Sequence, residues 1–215
     1  MNRFDNIDCM QGMAEYEDNH FDLAIVDPPY GIERFQQTNR DGKKNTTVNL
    51  KASQLNKWDI KPKQEYFEEL FRVSKNQIIW GANNFNLPTS EYFLVWDKMQ
   101  YMPNFSSAEL AYVSMGLKKP AKVFRYAICN VRDDIKRSGG RIHPTQKPVK
   151  LYEWILMNYA KENDKILDTH VGSASSLIAC EDMGFNYIGF EIDKDYYNAA
   201  QKRLKQFRSQ LKLAI

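Results

Sequence analysis

The sequence lacks what would place it in a membrane, a disulfide scaffold or a metal centre. No apolar run approaches the roughly 20 residues that a membrane helix needs. The start, Met1-Asn2-Arg3-Phe4-Asp5, carries charge where a secretory leader would carry an apolar stretch, so a cytoplasmic protein is expected. Cysteine is scarce, and Cys9, Cys129 and Cys180 lie far apart without a Cys-x-x-Cys pair, which speaks against disulfides or a cysteine zinc site. They read as reduced thiols. His20, His143 and His170 lack metal-ligand spacing, so no metal is expected. The chain has no internal repeat, no low-complexity segment and no Gly-x-Gly-x-x-Gly fingerprint of a dinucleotide site.

What is present suits a single α/β domain spanning 1–215, since a chain of 215 residues supports one sizeable core. Hydrophobic residues at 43% and charged residues at 27% are ordinary for a globular protein. The net charge of +3 is mild, but the basic residues gather in two segments. One, 32–61, runs through Arg34, Arg40, Lys43, Lys44, Lys51, Lys57 and Lys61. The other runs through Lys118, Lys119, Lys122, Arg125, Arg132, Lys136, Arg137, Arg141 and Lys147, with its loop at 117–146. Either alone would read as solvated surface charge.

Hydrophobic spacing orders the elements. Phe21 to Val26 is an apolar run stopped by Asp27-Pro28-Pro29, hence a buried strand ending in a rigid loop, because proline cannot continue the ladder. The polar stretch from Gly31 to Lys61 is too long for an ordinary connection and reads as a functional loop. Residues 63–74 have helical spacing and precede the strand Gln77-Ile78-Ile79-Trp80. Two β-rich runs, Tyr92 to Trp96 and Glu109 to Met115, predict an antiparallel pair at a sheet edge. A second loop and a joint at Ser138-Gly139-Gly140 lead to a helix over Val149 to Ala160. Then Lys165 to Asp168, Ser175 to Met183 and Tyr187 to Glu191 form a βαβ unit. In the last helix Tyr197, Ala200, Leu204, Phe207 and Leu211 face the sheet, leaving Lys202, Arg203, Lys205 and Arg208 outside.

Two places carry chemistry. Asp168-Thr169-His170-Val171-Gly172-Ser173-Ala174-Ser175-Ser176 brings a small-residue loop from a strand end to a helix start, where backbone N–H groups can approach a ligand. Glu191 ends the next strand, roughly 20 residues on, the spacing of an acid that bonds ribose hydroxyls. Either feature alone is common in α/β proteins. Asp27-Pro28-Pro29-Tyr30 is sharper, because two prolines present the Asp27 carboxylate, the Pro28 carbonyl and the Tyr30 ring as one rigid set. The carboxylate and the carbonyl only accept hydrogen bonds. Together they suit an amino group, whose delocalised lone pair is freed for attack when both hydrogens are held. Tyr30 would stack on the base, a contact of roughly 1–3 kcal/mol.

These residues resemble the amino-methylating DNA methyltransferases, the N6-adenine/N4-cytosine family, and specifically its circularly permuted β class. Asp27-Pro28-Pro29-Tyr30 is similar to that family's catalytic motif, which here precedes the cofactor motif. His143-Pro144-Thr145-Gln146-Lys147-Pro148 resembles the segment before the cofactor helix, Asp168 to Ser176 the glycine loop, and Gly189-Phe190-Glu191 the ribose-acid motif. Asn6-Ile7-Asp8-Cys9 resembles a short N-terminal motif. The resemblance implies a Rossmann-like domain, a mostly parallel sheet with an antiparallel edge hairpin, and S-adenosyl-L-methionine as cofactor. It assigns Asp8 to the cofactor adenine, Thr145 and Lys147 to its methionine part, Gly172 and Ser173 with Asp168 to its lining, and Glu191 to its ribose. The chain departs from the pattern at Thr169-His170, where Pro-Phe is usual, and at Ala174, which stands for a second glycine.

The expected partner is double-stranded DNA, with 32–61 and 117–146 as recognition loops that bind phosphates and reach base edges. A base inside a duplex must be flipped to meet the cofactor. Asp at position 27 is commoner in adenine enzymes, and Ser in cytosine-N4 enzymes, which favours adenine N6 and keeps cytosine N4 as the alternative. None of the three cysteines follows a proline, which argues against cytosine-C5 chemistry. Methylation of RNA or of a protein glutamine is the less favoured reading by motif order. A non-catalytic nucleic-acid-binding protein on the same fold is a further alternative, motivated by His170 and Ala174. Dimers occur in the family, so a homodimer is open. The recognised DNA sequence and a partner nuclease are not legible.

Overall fold

A computed structural model describes residues 2–31, 59–103, 106–137 and 140–211, without the side chains of 136, 137 and 211. The apolar runs become the central strands. β2 (Leu23–Val26) and β3 (Gln77–Trp80) are buried at every position, as strands covered on both faces must be. With β1 (Arg3–Asp5), β4 (Phe93–Asp97), β5 (Ala108–Val113), β6 (Lys122–Arg125), β7 (Lys165–Asp168) and β8 (Asn186–Phe190) they form one sheet of order β1-β8-β7-β2-β3-β5-β4-β6. From β1 to β3 all neighbours are parallel. β5 runs antiparallel to both β3 and β4, and β6 lies parallel to β4.

Successive residues of a strand point to opposite faces, so each strand supplies two cores. Leu23, Ile25, Ile78 and Trp80 face helices α3 (Ile128–Arg137), α4 (Val149–Tyr159), α5 (Ser175–Asp182) and α6 (Lys194–Leu211). Ala24, Val26, Ile79 and Phe190 face α1 (Cys9–Met13) and α2 (Gln64–Val73). In α2 the buried Tyr66, Phe67, Leu70 and Val73 recur every three or four residues, which fixes the inward stripe. α5 is buried from Ser175 to Cys180, and its small residues let it pack closely against α4. No helix among the described residues is long and apolar enough to cross a membrane.

The sheet differs from the sequence reading in three places. The antiparallel pair does not end the sheet, because β6 pairs outside β4. Lys-Val-Phe-Arg alternates half-buried and exposed positions, the pattern of an edge strand with one solvated face, and is too short and polar to stand out in a sequence. The segment 117–146 is therefore not a loop throughout, since it contains β6 and also α3, which buries Val131 and Ile135 one turn apart. Arg203, expected outside α6, is buried. The segment 32–61 lies outside the described residues except at its end, where the Asp59 carboxylate accepts the Gly31 N–H at 3.0 Å.

The topology positions the site. From β7 the chain passes through α5 to β8 on one side, and from β2 it passes by way of α2 to β3 on the other. The crevice beyond the carboxyl ends of β7 and β2 is thus the switch point where doubly wound sheets bind ligands. Asp168 ends β7, Asp27 follows β2, Glu191 follows β8, Asp8 lies just past β1, and Gly81 follows β3. All sit at the carboxyl ends of five adjacent parallel strands.

Candidate active site

The two sides of this crevice are built differently. On the β7–β8 side, Asp168 accepts the His170 N–H at 3.0 Å on Oδ1 and a short bond from the Ser176 hydroxyl on Oδ2. Burial pushes its carboxyl up to about 7, and those two donors offset only part of the rise. Glu191 closes the loop: Oε2 accepts the Gly172 N–H at 2.8 Å and Oε1 the Asp193 N–H at 2.9 Å. Burial raises this carboxyl also, against its backbone donors. Among the described residues neither acid pairs with a lysine or an arginine.

The loop between them turns through two left-handed residues, Gly172 at φ +52° and Ala174 at φ +61°. That conformation costs a non-glycine residue about 1–2 kcal/mol, which explains why a glycine is usual where Ala174 stands. The Ala174 side chain is packed in the larger core, so it belongs to the fold behind the loop. Ser173 is held from behind by Arg203, whose Nη1 donates to the Ser173 carbonyl at 2.7 Å and to the Ser175 hydroxyl at 2.9 Å. Ser175 in turn donates to the Lys147 carbonyl at 2.8 Å, tying the loop to the start of α4. Thr145 is exposed and bonds the Nδ1 of His143, whose ring lies beside Gly172. Asp8 caps α1 by accepting the Met10 and Gln11 N–H groups. His170 packs edge-on against Tyr66, with Nδ1 2.9 Å from the Thr169 hydroxyl. Burial holds its imidazole down at about 4 against the opposing pull of Asp8, so it is neutral at pH 7.

On the β2–β3 side the carboxylates are compensated. The Lys147 ammonium lies 2.5 Å from Asp27 Oδ2 and 3.1 Å from Glu109 Oε2, and Lys98 lies 2.6 Å from Glu109 Oε1. Two cations and two anions thus alternate in a row, with the Lys147 side chain buried at 4% exposed and the other three half-buried. Burial disfavours the Lys147 and Glu109 charges, but their paired charges win. Lys147 is held well above the usual lysine value by Asp27 and Glu109, and Glu109 is held at about 2 by Lys147 and Lys98. Removing one member of such a buried pair costs about 3–5 kcal/mol, because it strands the other.

Tyr30 completes this wall. Its hydroxyl donates to Asp27 Oδ1 at 2.6 Å, and its ring lies against Gly81, where a Cβ would clash with it. Gly81 is also left-handed, at φ +72°, so two constraints require glycine there. The phenol ionises well above its usual value because it is buried beside Asp27, so it stays a donor. Both Asp27 oxygens are therefore engaged, Oδ2 by Lys147 and Oδ1 by Tyr30. Between Asp27 and Tyr30 in the chain, Pro28 is buried and Pro29 half-buried.

The structure thus gathers Asp27 to Tyr30, Lys147, Asp168, Gly172, Ser173 and Glu191 about one crevice, with Asp8 and Thr145 at its margins. Lys147 spans both sides, with its carbonyl on the loop and its ammonium on Asp27. Glu109, Lys98, Tyr66, Gly81 and Arg203 were missed from sequence. Glu109 had a signal: it shares a strand face with Ala111 and Val113, both fully buried, and an acid at an inward position needs a partner.

Comparison with known proteins gives the family and the fold. The profile of the DNA methylase family matches residues 43–202, so the chain belongs to this N6/N4 methylase family and is a DNA methyltransferase. A type II methyltransferase of Haemophilus influenzae, M.HinfI, is 26% identical over 248 aligned residues, covering 94% of this chain and 67% of that protein. Among solved structures, the complex of M1.HpyAVI with S-adenosyl-L-methionine superposes at a TM-score of 0.60 with 20% identity, covering 94% of this chain and all of that one. The cytosine-N4-specific PvuII DNA methyltransferase superposes at 0.59 with 12% identity, over 93% of this chain and 85% of the other. The last two likenesses are of fold: one Rossmann-like methyltransferase domain.

Proposed function

We propose that this chain transfers a methyl group from S-adenosyl-L-methionine to N6 of an adenine flipped out of double-stranded DNA. The carrying observation is that the Asp27-Pro28-Pro29-Tyr30 set ends β2 directly beside the acidic loop that follows β7, so acceptor and donor sites share one switch-point crevice.

The β7–β8 side fits the cofactor by its donor set. Asp168 and Glu191 present buried carboxylates with no cationic partner among the described residues, and the loop at Gly172 and Ser173 admits close approach. Asp8 and Thr145 would hold its outer parts, and Lys147 the end nearest the catalytic wall. Bound there, S-adenosyl-L-methionine supplies an electrophilic methyl on a sulfonium. The permuted order, with 27–30 ahead of 168–176, belongs to the same reading.

The β2–β3 side would treat the base. The target amino group takes Asp27 Oδ1 in place of the Tyr30 hydroxyl and gives its second hydrogen to the Pro28 carbonyl. With both hydrogens held, the nitrogen lone pair would be free to take the methyl carbon as its bond to sulfur breaks and the neutral thioether leaves. The hydrogen held on Asp27 Oδ1 would pass to that carboxylate as the proton lost from nitrogen, and rate would come from position and from acceptors aimed at the developing charge. The Tyr30 ring, released from Asp27, is free to stack on the flipped base. Segments 32–61 and 117–146 would hold the DNA phosphates and read base edges. The Gly31–Asp59 bond brings both ends of the first segment back to the site.

Adenine is favoured by the aspartate at 27. The test is incubation of the chain with mixed-sequence DNA and methyl-labelled cofactor, followed by nucleoside analysis. N6-methyladenine is expected. N4-methylcytosine would select the alternative, and no labelled nucleoside would refute the proposal.

A further inference from the structure

The row of charges that ends on Asp27 begins outside every motif noted in the sequence. Glu109 lies on β5, two strands away from Asp27, and its only obvious local duty would be to pair Lys98 across the β4–β5 hairpin. It does more than that, because its second oxygen faces the Lys147 ammonium at 3.1 Å. That ammonium also packs over the Tyr30 and Trp80 rings, at 5.7 and 5.6 Å from their centroids. Lys147 is therefore shared between two carboxylates and confined by two aromatic faces.

Sharing matters for Asp27. A lysine with Asp27 as its sole counter-ion would settle between both carboxylate oxygens, where the Coulomb attraction is greatest. Glu109 draws the ammonium to one side, so that it meets Oδ2 and leaves Oδ1 to a neutral donor. In this structure the donor is the Tyr30 hydroxyl. Under the function proposed above it becomes the amino group of the base.

We propose that Glu109 is a positioning residue for methyl transfer: by holding Lys147 off Asp27 Oδ1, it keeps that oxygen open to the target amino group. Glu109 touches neither base nor cofactor and acts through Lys147 alone. The inference rests on the reading of Asp27 as the amino-group acceptor.

The test is a double-mutant cycle on the full chain, with kcat, KM for DNA and cofactor Kd measured for each variant. Glu109→Gln preserves shape and removes the charge. It is expected to lower kcat about tenfold or more, the size of effect that small misplacement produces, while KM and Kd stay within about threefold. In a Lys147→Met background the same substitution is expected to change kcat by less than about twofold, since no ammonium is left to misplace. Wild-type kcat in Glu109→Gln overturns the inference, and so does an equal loss in both backgrounds, which would mark a structural role. Should Glu109→Gln fail to fold, Glu109→Asp withdraws the charge by one methylene and carries the same test: a kcat-specific loss supports the inference, and unchanged kcat overturns it. A wild-type chain that methylates no DNA would overturn the function reading and this inference together, whereas an active wild type with an indifferent Glu109 overturns the inference alone.

Discussion

The crevice has one wall of uncompensated acids and one wall of compensated acids. Among the described residues Asp168 and Glu191, at the ends of β7 and β8, are held by hydroxyl and backbone donors, and burial raises both carboxyls. Asp27, one strand beyond β7, and Glu109, two strands further on, are tied to Lys147 and Lys98. Under the function proposed above, the contrast separates two tasks within one site. A wall with unmet negative charge is suited to a ligand that brings its own cation, and a sulfonium cofactor does so. A wall already neutralised is suited to a neutral aromatic base, to which it offers acceptors without a net field.

The largest effect that would break this division is on turnover. Asp27→Ala is expected to lower kcat by roughly 10³-fold, the scale seen when a donor or acceptor aimed at developing charge is lost. Lys147 keeps Glu109 as a counter-ion in that variant, so the fold should persist, and a thermal melt checks it. An Asp27→Ala enzyme within tenfold of wild type would remove the carboxylate from the mechanism.

Next in size is Tyr30, where two variants separate ring from hydroxyl. Tyr30→Ala removes stacking and is expected to lower kcat/KM for DNA by roughly 5- to 150-fold, from about 1–3 kcal/mol of lost contact. Tyr30→Phe keeps the ring and frees Asp27 Oδ1, so its kcat/KM should stay within about threefold of wild type. Equal damage from both would assign the hydroxyl a role beyond filling the acceptor.

A different readout, stability, reads the acidic wall directly. Asp168 loses its proton near 3.8 when unfolded but only at about 7 when folded. Between those values the folded chain binds the extra proton, so this group's contribution is present below about 4 and is lost as pH rises to about 7. His143 and His170 act oppositely: burial holds each at about 4 rather than 6.5, so their contribution is lost as pH falls through that range. The three overlap in wild type, and a difference isolates Asp168. The Tm of Asp168→Asn relative to wild type should climb from pH 4 to 7 and then level off. A difference that is flat with pH would mean Asp168 ionises normally in the folded chain.

The two walls were not equally legible in sequence. The acidic wall is local: Asp168, Gly172 and Ser173 follow one strand and Glu191 ends the next, so a short stretch of sequence displays them together. The prolines after Val26 made Asp27 equally visible. The compensated wall is non-local. Glu109, Lys98 and Lys147 come from β5, the end of β4 and the start of α4, and nothing in their spacing brings them together. Arg203 was misplaced because helical periodicity puts it beside the apolar stripe, and its long apolar stem lets the guanidinium reach inward to the Ser173 carbonyl. β6 and α3 were hidden because edge strands and amphipathic helices keep a polar face, which in a basic segment reads as loop. The central strands were legible for the opposite reason: burial on both faces leaves β2 wholly apolar and β3 apolar after Gln77.

Calorimetric titration of S-adenosyl-L-methionine into wild type, Asp27→Ala and Asp168→Asn tests the division of labour most directly. Asp27→Ala should bind with a Kd within about threefold of wild type, and Asp168→Asn should bind at least about tenfold more weakly, as loss of an interaction with a charged group entails. Cofactor binding lost equally in both variants would contradict the account.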